Sequence, residues 1–271
     1  MTIDLNNKVI IITGGAGKQG SIGETLVRKV AKLGATPVII DRNPRGHQIE
    51  SSLIESGQKC LFIPTELTSP DSCEAAIRII KKKYGRIDVL INNVGVNDGV
   101  GLDGSYEDFL NSLHLNLINY FLFAKHSVDF LQLSKGNILN ISSKVALTGQ
   151  GGTSGYAASK GAILALTREW AVDLAKHGVR VNSLVISESW TPAYEEWLMK
   201  LPDPKIEKEK IDSLIPLGRR MTTSDEIANT AIFLISDYSS HTTGQQVVVD
   251  GGYIHLDRRI SHTNAYKESV T

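Results

Sequence analysis

Residues 13–23 read TGGAGKQGSIG, between a β-branched run and a helical pattern. Glycines let such a turn adopt positive φ angles and let its backbone approach a ligand closely. The N-terminus of the following helix offers unpaired N–H groups and a partial positive charge to a diphosphate. The turn therefore predicts a phosphate-binding loop, and its candidate contacts are Gly14, Gly15, Ser21 and Ile22.

An acidic residue, Asp41, ends the second β-branched run, eighteen residues beyond Gly23. A carboxylate at this place accepts both hydroxyls of an adenosine ribose and repels the 2′-phosphate of NADP. Arg42 follows directly and partly offsets that repulsion. The glycine turn and Asp41 together predict an NAD site, with NAD preferred over NADP. The alternative, in which the glycines serve only tight packing, is disfavoured by Asp41.

Short apolar runs alternate with longer helical patterns along the chain. The expected strands are 9–13, 37–41, 60–64, 89–92, 137–142, 179–186 and 246–250, and the expected helices are 22–33, 46–56, 70–84, 106–133, 154–177 and 224–236. Most strand runs are apolar throughout, as parallel strands covered on both faces are. This alternation predicts one α/β domain over residues 1–271, a doubly wound parallel sheet of about seven strands.

The segment 192–216 interrupts this alternation with four prolines, Trp197 and a charged run at 205–210. Ligands of open α/β sheets bind at the carboxyl edge of the strands. The segment therefore predicts a small helical flap over that edge. The alternative is a solvated surface excursion.

Composition excludes several classes of protein. Lys+Arg and Asp+Glu both number 29 among 271 residues, so the net charge is zero and neither nucleic acid nor a membrane surface is an expected partner. No apolar stretch approaches the roughly 18 residues of a membrane span. The only cysteines, Cys60 and Cys73, indicate reduced, buried thiols in a cytoplasmic protein. The seven histidines are scattered, which gives no metal-site spacing.

Tyr156 stands four residues before Lys160, and no other tyrosine has a lysine at that offset. Residues four apart share one face of a helix. A cation within about 4–6 Å favours the phenolate, which would lower the pKa of Tyr156 toward the range of efficient proton transfer. The alternative is an exposed helical pair of little energetic consequence.

Five ordered motifs resemble the short-chain dehydrogenase/reductase family over nearly the full chain. They are the glycine turn, Asn-Asn-Val-Gly at 92–95, Asn-Ile-Ser-Ser at 140–143, the Tyr156/Lys160 pair and Asp-Gly-Gly at 250–252. The resemblance implies a Rossmann-type NAD(P)-binding domain and a catalytic tetrad of Asn116, Ser143, Tyr156 and Lys160. Ser143 is the matched serine because the family's serine lies thirteen residues before its tyrosine.

The resemblance also implies a role for each residue. Tyr156 would take the hydroxyl proton as hydride leaves for the nicotinamide, and Ser143 would hydrogen-bond the reacting oxygen. Lys160 would hold the ribose hydroxyls, and Asn116 would anchor a water that leads protons to solvent. The other implied cofactor contacts are Asn93, Gly95, Thr191 and, beside the adenine, Glu66 and Leu67.

Two departures from the family pattern concern the cofactor. Six residues separate Gly14 from Ser21, where the family usually has three residues between its first two glycines. Ile186-Ser187 replaces the usual Pro-Gly beside the nicotinamide. Neither change removes a catalytic side chain.

Segments 96–103, 143–144 with 148–151, 165–172 and 240–258 further resemble bacterial members of this family that oxidise L-fucose at its anomeric carbon to a lactone. A polyhydroxylated sugar needs several polar groups around the reacting carbon. The candidate substrate residues are Asn97, Ser143, Lys144, Gln150 and Glu188, with Trp190 or Trp197 as a stacking surface. Solvated loop positions and simple packing are the alternatives for these side chains.

Two other functions fit the same motifs. One is reduction of a 3-oxoacyl thioester or another carbonyl with NADPH, against which Asp41 argues. The other is a catalytically silent nucleotide-binding regulator, against which the intact tetrad argues. The helices at 106–133 and 154–177 match those that pair subunits in the family, so the resemblance implies a homotetramer.

Overall fold

The computed structural model describes residues 3–255, so residues 256–258 of the sugar-dehydrogenase resemblance lie outside the described part. A seven-stranded parallel sheet forms the centre of the molecule, in the order β3-β2-β1-β4-β5-β6-β9. Its strands are β1 (Val9–Thr13), β2 (Thr36–Asp41), β3 (Leu61–Pro64), β4 (Val89–Asn92), β5 (Asn137–Ser143), β6 (Arg180–Ile186) and β9 (Gln246–Val249). The predicted doubly wound α/β sheet is confirmed.

Helices cover both faces of this sheet. The α-helices of residues 3–255 are α1 (Ile22–Lys32), α2 (Arg45–Glu55), α3 (Pro70–Tyr84), α4 (Tyr106–Leu113), α5 (Asn119–Ser134), α6 (Ser154–Ala175), α9 (Ser224–Ile235) and, in the 192–216 segment, α7 (Pro192–Leu198) and α8 (Pro204–Ser213). Ser21, Ser69, Ser105 and Thr223 cap α1, α3, α4 and α9 through side-chain oxygens that accept backbone N–H groups.

The core lies in two layers because β1 is buried on both faces. Ile10 and Ile12 pack on one side with α1 and α9, whereas Ile11 packs on the other with α3 and α5. β1 pairs with β2 on one side and β4 on the other, so the strand order reverses there. A ligand crevice is expected at the carboxyl ends of strands at such a switch point.

Two regions differ in detail from the sequence expectations. The single helix expected at 106–133 is divided into α4 and α5 by a π-helical segment, His114–Ile118. The flap is helical, as predicted, but consists of the two helices α7 and α8. A short parallel pair, β7 (Ser189–Trp190) with β8 (Thr222–Thr223), closes the base of the flap.

Both cysteines are buried and free. Burial raises the pKa of Cys60 to about 12 and that of Cys73 to about 11, so neither is a ready thiolate. Within residues 3–255, no helix is long and apolar enough to cross a membrane. The same residues form no group of three His, Cys, Asp or Glu side chains that could hold a metal ion.

Candidate active site

A cleft of about 380 Å³ opens at the carboxyl ends of the strands. Ten of its lining residues come from the glycine turn, the ends of β2 and β4, and α6: Gly14, Gly17, Lys18, Ser21, Ile22, Gly23, Asp41, Asn93, Tyr156 and Lys160. The rest come from the loop after β4, from β5 and β6, and from the flap: Val94, Gly95, Ile141, Ser142, Ile186, Thr191, Pro192, Ala193 and Glu196. Most predicted cofactor residues therefore meet in one cleft.

The glycine turn depends on backbone that only glycine tolerates. Gly14 has a φ of +69°, in the left-handed region. A Cβ on Gly23 would collide with the carbonyl oxygen of Gly14 and would lie 2.9 Å from Asn93 Nδ2. The start of α1 therefore packs directly on the turn, which aims its N-terminal N–H groups at the cleft. Gly15 is packed against Ile39 and Val27 and does not line the cleft.

A buried ion pair supports the lengthened part of the turn. Glu24, 1% exposed, accepts from Arg28 at 2.8 Å and from Arg45 at 3.0 Å. Arg45 also donates to the carbonyl of Gly17, and the N–H of Gly20 donates to Glu24. Burial by itself would raise the pKa of Glu24, but the hydrogen bonds from both arginines outweigh it and lower that pKa. The lengthened loop between Gly14 and Ser21 is therefore fixed by the side chains of Glu24 and Arg45.

Asp41 lies at the end of β2 and lines the cleft. Its Oδ2 accepts from the N–H of Ala16 at 2.9 Å, which ties the carboxylate to the glycine turn. Arg42 points to Glu66, with an Nη1–Oε2 distance of 3.3 Å, and both side chains are largely exposed. Leu67 is buried in the core and, like Arg42 and Glu66, is outside the cleft lining.

Asn93 and Asn116 fix the loop after β4. The amide of Asn93 donates to the carbonyl of Thr13 at 3.0 Å, and so joins β4 to β1 at the switch point. Asn116 lies in the π-helical segment, where its Oδ1 accepts from the N–H of Val96 at 2.7 Å. A Cβ on Gly95 would lie 2.9 Å from Lys160 Nζ, so glycine is required for this close approach.

Tyr156 and Lys160 share one face of α6. The ammonium of Lys160 lies 5.6 Å from the ring centroid of Tyr156. Ser143, at the end of β5, is 8% exposed, and its side chain opposes the rise that burial causes in the pKa of Tyr156. The structure therefore brings these three members of the predicted tetrad together, and Asn116 approaches Lys160 across Gly95.

The expected lowering of the Tyr156 pKa by Lys160 is wrong for this arrangement. Burial raises the pKa of Tyr156, hydrogen bonding with Ser143 opposes that rise, and the charge of Asp98 adds to it. Burial also lowers the pKa of Lys160 to about 7, because desolvation disfavours the ammonium. Desolvation therefore disfavours the charged form of both groups.

The predicted substrate residues divide into two sets. Lys144 forms an ion pair with Glu188 in which both side chains are about seven-eighths buried. Tyr194 donates to the other oxygen of Glu188 at 2.5 Å, and Lys144 lies 4.3 Å from the ring centroid of Tyr253. Lys144, Glu188, Tyr194 and Tyr253 thus form one polar cluster.

The second set is less connected. Asn97 and Gln150 are exposed on loops, and no hydrogen bond joins either to the other candidates within the described chain. Lys208 of the flap lies 4.9 Å from the ring centroid of Trp190. Trp197 packs edge-on against Tyr194, at 5.2 Å between centroids.

Sequence reasoning missed several residues of the site. Gly17, Lys18 and Gly23 belong to the quoted glycine turn, and their position there was the available signal. Lys18 forms an ion pair with Glu196 of α7 across the cleft mouth. Tyr194 and Tyr253 lie within the segments 192–216 and 240–258, but neither was singled out as a site residue. Tyr120, which accepts from Lys160 at 3.2 Å, lies in no motif.

Known proteins with similar sequences and structures include dehydrogenases and reductases. Residues 15–254 match the sequence family described as "Enoyl-(Acyl carrier protein) reductase". The chain is 34% identical to an L-fucose dehydrogenase of Bos taurus, covering 90% of this chain and 88% of the relative. It is 33% identical to a 3-oxoacyl-[acyl-carrier-protein] reductase of Thermotoga maritima, covering 92% and 99%. The crystal structure of Cj0485 dehydrogenase superposes with a TM-score of 0.90 at 42% identity, covering 95% and 98%.

Proposed function

The chain belongs to the short-chain dehydrogenase/reductase family, and on that premise we propose that it is an NAD-dependent dehydrogenase that oxidises the anomeric carbon of an aldose to a lactone. Membership makes it an NAD(P)-dependent oxidoreductase that acts on CH–OH groups. The choice of sugar and of NAD over NADP is the proposal. The observation that carries it is the polar cluster, which begins one residue after the catalytic Ser143.

The residues of the cleft suit a dinucleotide. The N-terminus of α1 faces the cleft behind a close-packed glycine turn, and Asp41 lies at the end of β2 beside it. Asp41 would accept the adenosine ribose hydroxyls, and Arg42 is engaged by Glu66 and so is less available to a 2′-phosphate. Lys160 and Thr191 would meet the nicotinamide half. NAD, when bound, supplies the hydride acceptor.

The chain's own residues would handle the proton. Tyr156 would accept the proton of the anomeric hydroxyl while the C1–H bond gives its hydride to NAD, so the lactone carbonyl forms as NADH and a proton are released. Ser143 would donate a hydrogen bond to the reacting oxygen and hold it beside Tyr156. Lys160 would hold the cofactor ribose, and Asn116 would keep the loop around Gly95 in place.

A sugar suits the polar cluster better than an acyl chain does. Lys144 and Glu188 present opposite charges side by side at the ends of β5 and β6, where Ser143 pairs with Ile186. Hydroxyl groups can both donate to a carboxylate and accept from an ammonium, whereas an alkyl chain satisfies neither. Trp190, Trp197 and Tyr253 add aromatic surface on which a sugar face can stack. Asn97 and Gln150 remain candidate contacts from the exposed loops.

The direct test is NADH formation by the purified protein with NAD and free aldoses. The panel should contain L-fucose, L-galactose, D-arabinose and L-rhamnose, with NADP in parallel. Turnover on one stereochemical set, faster with NAD, is the expected result. Lack of turnover on every aldose, with NADH binding intact, would refute the sugar proposal.

Reduction of a 3-oxoacyl thioester is the second candidate, favoured by the Thermotoga maritima relative and by the description of the matching sequence family. It predicts faster consumption of NADPH than of NADH with a 3-oxoacyl thioester, and no aldose oxidation. A homotetramer paired through α4–α5 and α6 is also proposed, from the family resemblance. Light scattering of the purified protein tests that assembly.

A further inference from the structure

The phenol of Tyr120 lies beside the ammonium of Lys160 inside the core. Lys160 Nζ donates to Tyr120 Oη at 3.2 Å and to the carbonyl of Ile141 at 2.9 Å. Tyr120 is fully buried and Lys160 is 2% exposed. An ammonium carries three donors. Two are used by these contacts, and one is left for the side of the cleft.

Backbone carbonyls fix the direction of the Tyr120 hydroxyl. Its oxygen lies 2.9 Å from the carbonyl oxygens of both Val94 and Ile141, which can only accept. The single hydroxyl proton therefore points at one of these carbonyls, and a lone pair is left for Lys160. Tyr120 is thus oriented as an acceptor for the ammonium.

We propose that Tyr120 is a positioning residue that anchors the ammonium of Lys160 beside Tyr156 and favours its protonated form. The proposal rests on the proposed function, because Lys160 matters here as a member of the dehydrogenase site. A phenylalanine at this position would fill the same volume but offer Lys160 no acceptor. The hydroxyl, not the ring, is therefore the feature that acts on Lys160.

The surroundings of Lys160 make this acceptor important. α6 contributes the neutral phenol of Tyr156, β5 contributes the carbonyl of Ile141, and the π-helical segment contributes the neutral amide of Asn116 near Gly95. Asp98, on the loop after β4, acts on Tyr156 through its charge. Within residues 3–255, no carboxylate forms an ion pair with Lys160.

A buried ammonium without a counter-ion depends on hydrogen-bond acceptors for its stability. Burial already lowers the pKa of Lys160 to about 7. Removal of the Tyr120 hydroxyl would shift that equilibrium further toward the neutral amine. Tyr156 would then lose part of the cationic neighbour that favours its phenolate.

The test compares Tyr120→Phe with Tyr84→Phe. Tyr84 is a half-buried tyrosine at the end of α3. It packs against the hydrophobic cluster to which α5 also contributes, and it does not line the cleft. The first measurement is the NMR titration of Lys160 in cofactor-free protein labelled with ¹³C at lysine Cε, assigned with Lys160→Met. Tyr120→Phe should move the midpoint about one pH unit lower, whereas Tyr84→Phe should leave it in place.

The second measurement is the pH profile of kcat/KM for oxidation. Tyr120→Phe should lower kcat/KM by about fivefold to tenfold near pH 7, because a smaller fraction of Lys160 stays protonated there, and should change it little at alkaline pH, where Lys160 is neutral in both proteins. Loss of thermal stability with an unchanged titration midpoint and an unchanged pH profile would overturn the proposal and leave a packing role only. The titration needs no substrate, so an inactive wild-type protein would refute the proposed function without deciding this inference.

If Tyr120→Phe does not fold, the contact can be tested by NMR on the wild-type protein. At low temperature and pH below 7, the Lys160 ammonium protons should give a correlation with ¹⁵Nζ and a nuclear Overhauser effect to the Tyr120 ring. A Lys160 ammonium signal without that effect would place the tyrosine elsewhere and refute the anchor.

Discussion

The ammonium of Lys160 lies 5.6 Å from the ring centroid of Tyr156, one turn away on α6. Both side chains are removed from water, and burial moves the two pKa values in opposite directions, up for Tyr156 and down for Lys160. Each shift disfavours the charged form. Burial therefore favours the neutral form of both side chains, and the rate of catalysis is expected to depend on the charges around the cleft.

Substitution Tyr156→Phe tests the proton acceptor. The ring and its packing remain, so the expected result is a loss of kcat of about a thousandfold or more, with NADH binding retained. Steady-state rates and NADH fluorescence titration measure the two effects. Tyr106→Phe, an exposed tyrosine at the start of α4, is the matched control. A Tyr156→Phe protein that turns over normally would contradict the assigned role, and a regulator without activity would show no difference at all.

The pH dependence follows from the direction of the Tyr156 shift. Because its pKa is raised, Tyr156 keeps its proton at neutral pH, and oxidation needs the deprotonated form. The value of kcat/KM for oxidation should therefore rise with pH, by about tenfold per unit, until the tyrosine titrates. The reverse reduction uses protonated Tyr156, so its rate should stay constant over the same range and fall only where the tyrosine titrates.

Substitution Asp98→Asn distinguishes the two causes of the raised Tyr156 pKa, the charge of Asp98 and burial. The charge of Asp98 raises the pKa of Tyr156, so its removal should move the rising limb to lower pH. The shift should be smaller in high salt, because Asp98 is exposed. A profile independent of pH, or an Asp98→Asn shift to higher pH, would contradict this assignment.

Substitutions in the polar cluster should change the KM for the aldose without changing the affinity for NADH. Lys144→Ala removes one partner of a buried pair, so KM for the aldose should rise about tenfold to a hundredfold while NADH affinity stays unchanged. Glu188→Gln keeps an acceptor for Tyr194 and should have a smaller effect. Lys205→Ala, an exposed lysine of the flap, is the control. Equal KM values for Lys144→Ala and wild type would place the sugar elsewhere.

Glu24→Gln tests the support of the glycine turn. Glu24 is a buried carboxylate paired with two partly exposed arginines, Arg45 and Arg28, so its substitution should lower the free energy of unfolding by about 1 kcal/mol at pH 7. The folded-state pKa is lowered from 4.5, so this stability is present above pH 4.5. The difference between wild type and variant should shrink as the pH falls through the folded-state pKa.

Chemical denaturation at fixed protein concentration measures this difference. Glu74→Gln is the control, because Glu74 is half exposed and its contact with Arg78 is 3.9 Å long. That substitution should change the free energy of unfolding by less than about 0.5 kcal/mol. A difference between Glu24→Gln and wild type that stays constant down to acidic pH would contradict the role of the charge.

Local patterns were sufficient for most of the fold. The strands 9–13 and 89–92 were predicted with the bounds that the structure has, because short, mostly apolar runs between turns favour buried strands. The two flap helices begin at Pro192 and Pro204, where proline is tolerated in the first turn. The π-helical segment His114–Ile118 was not predictable, because it lies within continuous helical periodicity without glycine or proline.

The sequence named site residues in several motifs, but it predicted a contact between two of them only within one motif. Tyr156 and Lys160 meet because four residues span one helical turn. Lys144 and Glu188 are forty-four positions apart and meet because Ser143 pairs with Ile186 in the sheet. Tyr120 and Lys160 are forty positions apart, and their contact likewise depends on the packing of α5 on α6 and β5. Desolvation at these contacts, which reversed the expected pKa shift of Tyr156, is a property of the folded molecule.

The most direct measurement follows the hydride itself. L-fucose that carries deuterium at C1 would be incubated with the purified protein and NAD, and the reduced nicotinamide would be analysed by mass spectrometry. Deuterated NADH together with a deuterium-free lactone is the expected result, since the anomeric carbon gives the hydride while Tyr156 takes the hydroxyl proton. NADH without deuterium, or no NADH from any aldose, would contradict oxidation at the anomeric carbon.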